Sequence, residues 1–170
     1  MILGMSTSTF TLVHVVLSVI GILSGLVVLF GMFASRRFEG WTGLFLATTV
    51  LTSATGFLFH SEKFGPPHVV GVISLAVLAI AIVALYAFRL KGFWRWIYVA
   101  CAVLALYLNV FVGVVQAFLK VPFLNALAPT QSEPPFAVAQ ALVLVIFIAL
   151  GIFAVRWFHP EGKGSVLSPA

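Results

Sequence analysis

Five uninterrupted apolar runs occupy most of this 170-residue chain and leave it little choice of architecture. A helix rises ~1.5 Å per residue and a bilayer core is ~30 Å thick, so about 20 apolar residues make one crossing. The runs cover residues of about 8–34, 41–60, 68–88, 95–119 and 136–157, and a polar tail follows at 158–170. Hydrophobic residues make up 62% of the chain and charged ones 8%, too few to solvate a water-soluble globule, which carries roughly 25% charged residues. Several runs hold β-branched residues, but all are longer than the ~9 to 11 residues of a transmembrane strand. The sequence predicts an all-α integral membrane bundle, a single transmembrane domain of five helices, with no internal repeat.

The breaks between runs have local causes. Arg36 and Arg37 close the first run, and the residues from Arg89 to Arg95 form a second basic turn. Around residue 65 the pair Pro66-Pro67 stops helix propagation from the preceding run, because proline lacks the amide donor and restricts the residue before it. The longest connection, residues 120–135, contains Pro122, Pro129, Pro134 and Pro135. Its Val121, Phe123, Leu124 and Leu127 are too apolar for a solvated linker, which predicts a cover on the helix ends with a short interfacial helix before Pro129.

Charge gives the orientation. One side of a five-crossing chain collects Arg36, Arg37, Arg89, Lys91, Arg95, Arg156 and Lys163, the other only Lys63 and Lys120. The basic side belongs in the cytoplasm, with the N-terminus outside and the C-terminus inside. Trp41, Trp94, Trp96 and Trp157 fall at that same interface, where indole rings prefer to sit. No basic residue precedes the first run, so it reads as a retained anchor, and the expected location is a bacterial inner membrane. The net charge of +5 resides in the turns rather than on one soluble face, which gives no nucleic-acid partner. The lone Cys101 excludes an intramolecular disulfide.

Polar residues inside the runs recur at helical spacing. His14, Ser18, Gly21 and Gly25 share one face of the first run. Thr49, Ser53, Gly56 and His60 do so on the second, and Asn109, Gly113, Gln116 and Lys120 on the fourth. His14, His60 and His68 lie toward the same, outer membrane side, together with Gln116, Glu133 and Gln140. Polar groups in hydrocarbon turn toward the bundle interior, a cavity or a cofactor.

Two functions follow from that arrangement. In the first, an outward-facing polar site lined by His14, His60, His68, Asn109 and Gln116 binds a ligand or cofactor. The histidines would then ligate a transition metal, with Glu62 or Glu133 completing the set, or supply the axial ligands of a b-type haem. In the second, the stripes pack helices, as Gly, Ser and Thr commonly do in membranes, and the chain is a non-catalytic assembly subunit in contact with its own copies or other membrane subunits. Transport is less favoured, because the cytoplasmic half has no matching polar path and the halves show no inverted repeat. Neither a nucleophile–base pair with an orienting acid nor a phosphate-binding glycine loop is present, so the chain is not expected to be an enzyme on its own.

Overall fold

The computed structural model describes residues 4–59 and 65–160. Among these the chain is all-helical, 82% helix with no strand. The elements are α1 (Thr7–Phe33), α2 (Glu39–Gly56), α3 (Pro66–Ile82), α4 (Phe93–Lys120), α5 (Pro122–Leu127) and α6 (Pro134–Trp157). The last turn of the third run, Val83–Ala87, winds as a π-helix continuing α3. Four helices, α1, α3 with its π turn, α4 and α6, are long and apolar enough to cross a membrane. The second run departs from the others: α2 has only 18 residues and carries Thr42, Thr48, Thr49, Thr52 and Thr55.

Helix ends follow local chemistry. Ser6 caps α1, its hydroxyl accepting from the Thr9 amide at 3.1 Å. Pro66, Pro122 and Pro134 each stand in the first turn of a helix, where a missing amide removes no intrahelical bond. Helices α3 and α6 therefore start about two residues earlier than the sequence predicts. At the other end of α3, Arg89 and Leu90 take positive φ values of 50° and 58°, turning the chain sharply into α4.

Helix α4 is the centre of the bundle, touching α1, α3, α5 and α6, while α1 packs most extensively on α2 and α2 also meets α3. The apolar core gathers toward the basic end, around Met32, Phe45, Leu78, Tyr98, Leu106 and Phe158. Two glycines allow the helices to close up there. A Cβ at Gly25 would lie 2.6 Å from Leu106 Cδ1 and 2.9 Å from the Phe45 ring. One turn earlier, a Cβ at Gly21 would meet Asn109 Nδ2 at 3.1 Å and Thr49 Oγ1 at 3.2 Å. The GxxxG of α1 is thus occupied inside the chain by α2 and α4.

The same end is fastened by the chain's own termini of helices. Ser35, just past α1, donates to the Trp157 carbonyl at 2.6 Å and accepts from the His159 amide at 2.7 Å. Arg95, in the first turn of α4, donates through Nη1 to the Phe158 carbonyl. At the opposite end the short helix expected before Pro129 is present as α5. It is held by Asn125, which donates to the Phe118 carbonyl at 3.2 Å, and by Gln131, which donates to the Val115 carbonyl at 2.9 Å. Val121, Phe123 and Leu127 stay exposed instead of turning inward. A six-residue helix has one inward side, and Leu124 and Asn125 occupy it.

Candidate functional site

The three polar stripes meet near the middle of the bundle. Asn109 of α4 donates through Nδ2 to Thr49 Oγ1 of α2 at 3.1 Å, and both atoms lie against Gly21 of α1. Thr49 is fully buried. One residue from each predicted stripe therefore contributes to a single node, and the missing side chain of Gly21 is what lets the amide and hydroxyl reach each other. Nearer the outer end, His14 Nδ1 lies 2.9 Å from Thr55 Oγ1, again joining α1 to α2. Ser53 and Ser74 share a 2.9 Å hydrogen bond between α2 and α3. Gln140 of α6 donates to the Phe111 carbonyl of α4 at 3.2 Å.

The tautomer of His14 can be argued from its partner. The single proton of the Thr55 hydroxyl is directed at the Leu51 carbonyl, 2.7 Å away, so Thr55 Oγ1 accepts from the ring. Imidazole Nδ1 then carries the proton and Nε2 the lone pair. The Phe59 ring stands edge-on to the imidazole with centroids 5.1 Å apart, and Phe10 leans on Phe59 at the same distance. Ser18, the next residue on the stripe, donates to the His14 carbonyl at 2.8 Å and so serves its own helix.

The other expected site residues divide. His68 belongs to a different neighbourhood: its Nδ1 accepts from the Gly65 amide at 3.2 Å, and its ring lies 5.7 Å from Phe57. Gln116, expected to face the bundle, is exposed near the end of α4. His60 and Glu62 lie outside the described residues. Glu133 is engaged in its own loop, accepting from the Thr130 hydroxyl at 2.8 Å and from the amides of Thr130 and Ser132, each at 3.2 Å. Among the described residues no three His, Cys, Asp or Glu side chains come together as a set that could hold a metal ion.

Sequence reasoning missed the partners. Thr55 and Ser74 stand off the predicted stripes, yet they receive His14 and Ser53; the signal available was the density of hydroxyl residues in α2. Two buried polar atoms, Thr52 Oγ1 and Gln140 Oε1, make no hydrogen bond among the described residues. A groove of about 680 Å³ runs between α4 and α6 at the basic end, and none of the predicted site residues lines it. No protein-family model, curated protein or solved structure matches the chain.

Proposed function

We propose that the chain is a five-crossing protein of a bacterial inner membrane, N-terminus outside and C-terminus in the cytoplasm, working as a non-catalytic packing or assembly subunit. The observation that carries this reading is that polar side chains of the stripes hydrogen-bond side chains of neighbouring helices: His14 with Thr55, Asn109 with Thr49, Ser53 with Ser74. A ligand site leaves donors and acceptors facing open space, whereas these close helix–helix seams. Interhelical hydrogen bonds of this kind contribute about 0.6 kcal/mol each in a bilayer, enough in sum to fix register.

The fifth crossing rests on α2. Its 18 residues span about 27 Å, close to the hydrocarbon thickness. Thr48 and Thr55 return their hydroxyl protons to the Leu44 and Leu51 carbonyls, both at 2.7 Å, which hides the polarity that sets α2 apart. Topology is tested with single cysteines at Arg36 and Glu133 in a Cys101→Ser background. Labelling from opposite faces of the membrane is expected, and labelling of both from one face overturns the model.

One observation favours a second reading, a cofactor or ligand held at the outer face. The Nδ1–H of His14 is directed to a hydroxyl and its Nε2 lone pair points elsewhere, as in a ligating imidazole oriented from behind. An absorption spectrum and elemental analysis of purified protein separate the two. A colourless, metal-free wild type with a destabilised His14→Ala variant supports the assembly reading; a Soret band or stoichiometric metal that His14→Ala removes overturns it.

A further inference from the structure

The groove between α4 and α6 is unlike the polar stripes in every respect: it lies at the basic end, it is large, and its chemistry changes along its length. Arg95, Arg156 and His159 stand at the end nearest the helix termini, and no carboxylate among the described residues is part of the lining. Beyond them the walls are branched aliphatic, with Leu104, Ile148 and Ile152 in the lead. From Arg95 to Tyr107 the floor rises about 18 Å along α4, close to one leaflet of a ~30 Å hydrocarbon core.

We infer that this groove is a binding site for one anionic phospholipid, its phosphate among Arg95, Arg156 and His159 and an acyl chain lying between α4 and α6. The inference rests on the membrane reading above but not on the assembly role. Charge complementarity identifies the occupant. A transmembrane helix of a partner would match the apolar walls, but it would leave two guanidinium groups facing hydrocarbon side chains, whereas a phosphate sits at the depth where they stand.

Arg95 is already oriented for the task. One of its five N–H groups is fixed on the Phe158 carbonyl, and its guanidinium carbon lies 5.7 Å from the centre of the Trp96 ring. The remaining donors are positioned without further loss of side-chain freedom, and a planar guanidinium matches two phosphate oxygens. Arg156 is exposed and makes no hydrogen bond or ion pair among the described residues, so none of these balances its charge. Gly151 lies on the groove wall, where an added Cβ would meet only ordinary contact with Val103 at 3.5 Å. A larger side chain there would project into the path of the acyl chain.

The test uses the full chain in phosphatidylcholine nanodiscs, with Trp96 quenching by lipids brominated on the acyl chain as the readout. The Trp96→Phe variant supplies the background of the other indoles. Brominated phosphatidylglycerol should quench Trp96 at lower mole fraction than brominated phosphatidylcholine. Arg156→Gln should reduce that preference about fivefold, the effect of one basic side chain near an anionic surface. Gly151→Leu should weaken quenching by the phosphatidylglycerol through the acyl chain while leaving the arginines in place. Equal quenching by both lipids in the wild type overturns the site and leaves the membrane reading intact. Absence of quenching by either lipid, with cysteines at Gly151 cross-linking two copies, overturns it in favour of a protein partner. Absence of quenching with no cross-link, in a chain that does not partition into the nanodisc, overturns the membrane reading itself.

Discussion

Gly25 and Gly113 occupy the same kind of stripe on paper and opposite situations in the bundle. A methyl group at Gly25 would intrude on Leu106 and Phe45, at 2.6 and 2.9 Å, inside the core. At Gly113 it would meet only Ile22 Cδ1, at 3.7 Å. Gly25→Ala is therefore expected to destabilise the protein by about 1–3 kcal/mol through overpacking, and Gly113→Ala to stay within about 0.5 kcal/mol, both read from unfolding in detergent. Glu133 offers a test by pH. Desolvation pushes its pKa up, but the hydrogen bonds from the Thr130 hydroxyl and the loop amides outweigh it, and the carboxyl rests below its ordinary value. A carboxylate depressed in the folded state stabilises the loop above its unfolded pKa and loses that contribution as pH falls through the folded one. Hydrogen exchange at the Thr130 and Ser132 amides, corrected for intrinsic rates, should keep its protection down to the ordinary carboxylate range and lose it only below. Glu133→Gln should abolish that dependence; protection that falls at the same pH in this variant would detach the loop from the carboxylate.

Helix α2 is the element most in need of its neighbours. Its threonines make it the least apolar of the long helices, and its contacts run through α1 and α3. The Thr49–Asn109 bond ties it directly to α4. A double-mutant cycle with Thr49→Val and Asn109→Leu should return a coupling of about 0.6 kcal/mol, and additivity within error would mean that the node contributes packing alone. The element pattern was legible because apolar length and basic turns are properties of the chain itself: all five long helices fall where the runs do. The boundaries were less so at prolines, since Pro66 and Pro134 break a preceding helix and begin a following one equally well. Stripe spacing was enough to bring Gly21, Thr49 and Asn109 together. It could not identify Thr55 as the partner of His14, because which of several hydroxyls on α2 meets the ring depends on how the helices are rotated against each other. Gln116 failed for a related reason: Phe118, two residues on, is buried and stacks edge-on to Phe136 while Gln116 is exposed, so the packed side of α4 at that end is not the side that carries the stripe.

For the whole molecule, polarity is divided between two ends with different work. Hydroxyls, amides and an imidazole join helices in the half that carries α5, while the basic end holds the large apolar core and the α4–α6 groove. Closing that basic end are two residues, Ser35 and Arg95, reaching the carbonyls of Trp157 and Phe158. Replacing Ser35 with Ala removes a donor and an acceptor together and should cost about 1–3 kcal/mol, seen as a lowered midpoint of thermal unfolding; an unchanged midpoint would make the contact incidental. Its position along the chain also sets a timetable. Ser35 and Trp157 are 122 residues apart, so at a synthesis rate of about 5–20 residues per second the hydroxyl waits roughly 6–24 seconds for its carbonyl. During that interval α2, α3 and α4 are made and α1 can pack on α2, but the basic end of α1 still lacks its link to the end of α6. A chain stalled before α6 would leave the Ser35 hydroxyl and the Arg95 guanidinium without their carbonyls at the basic end, its own mark of incompleteness.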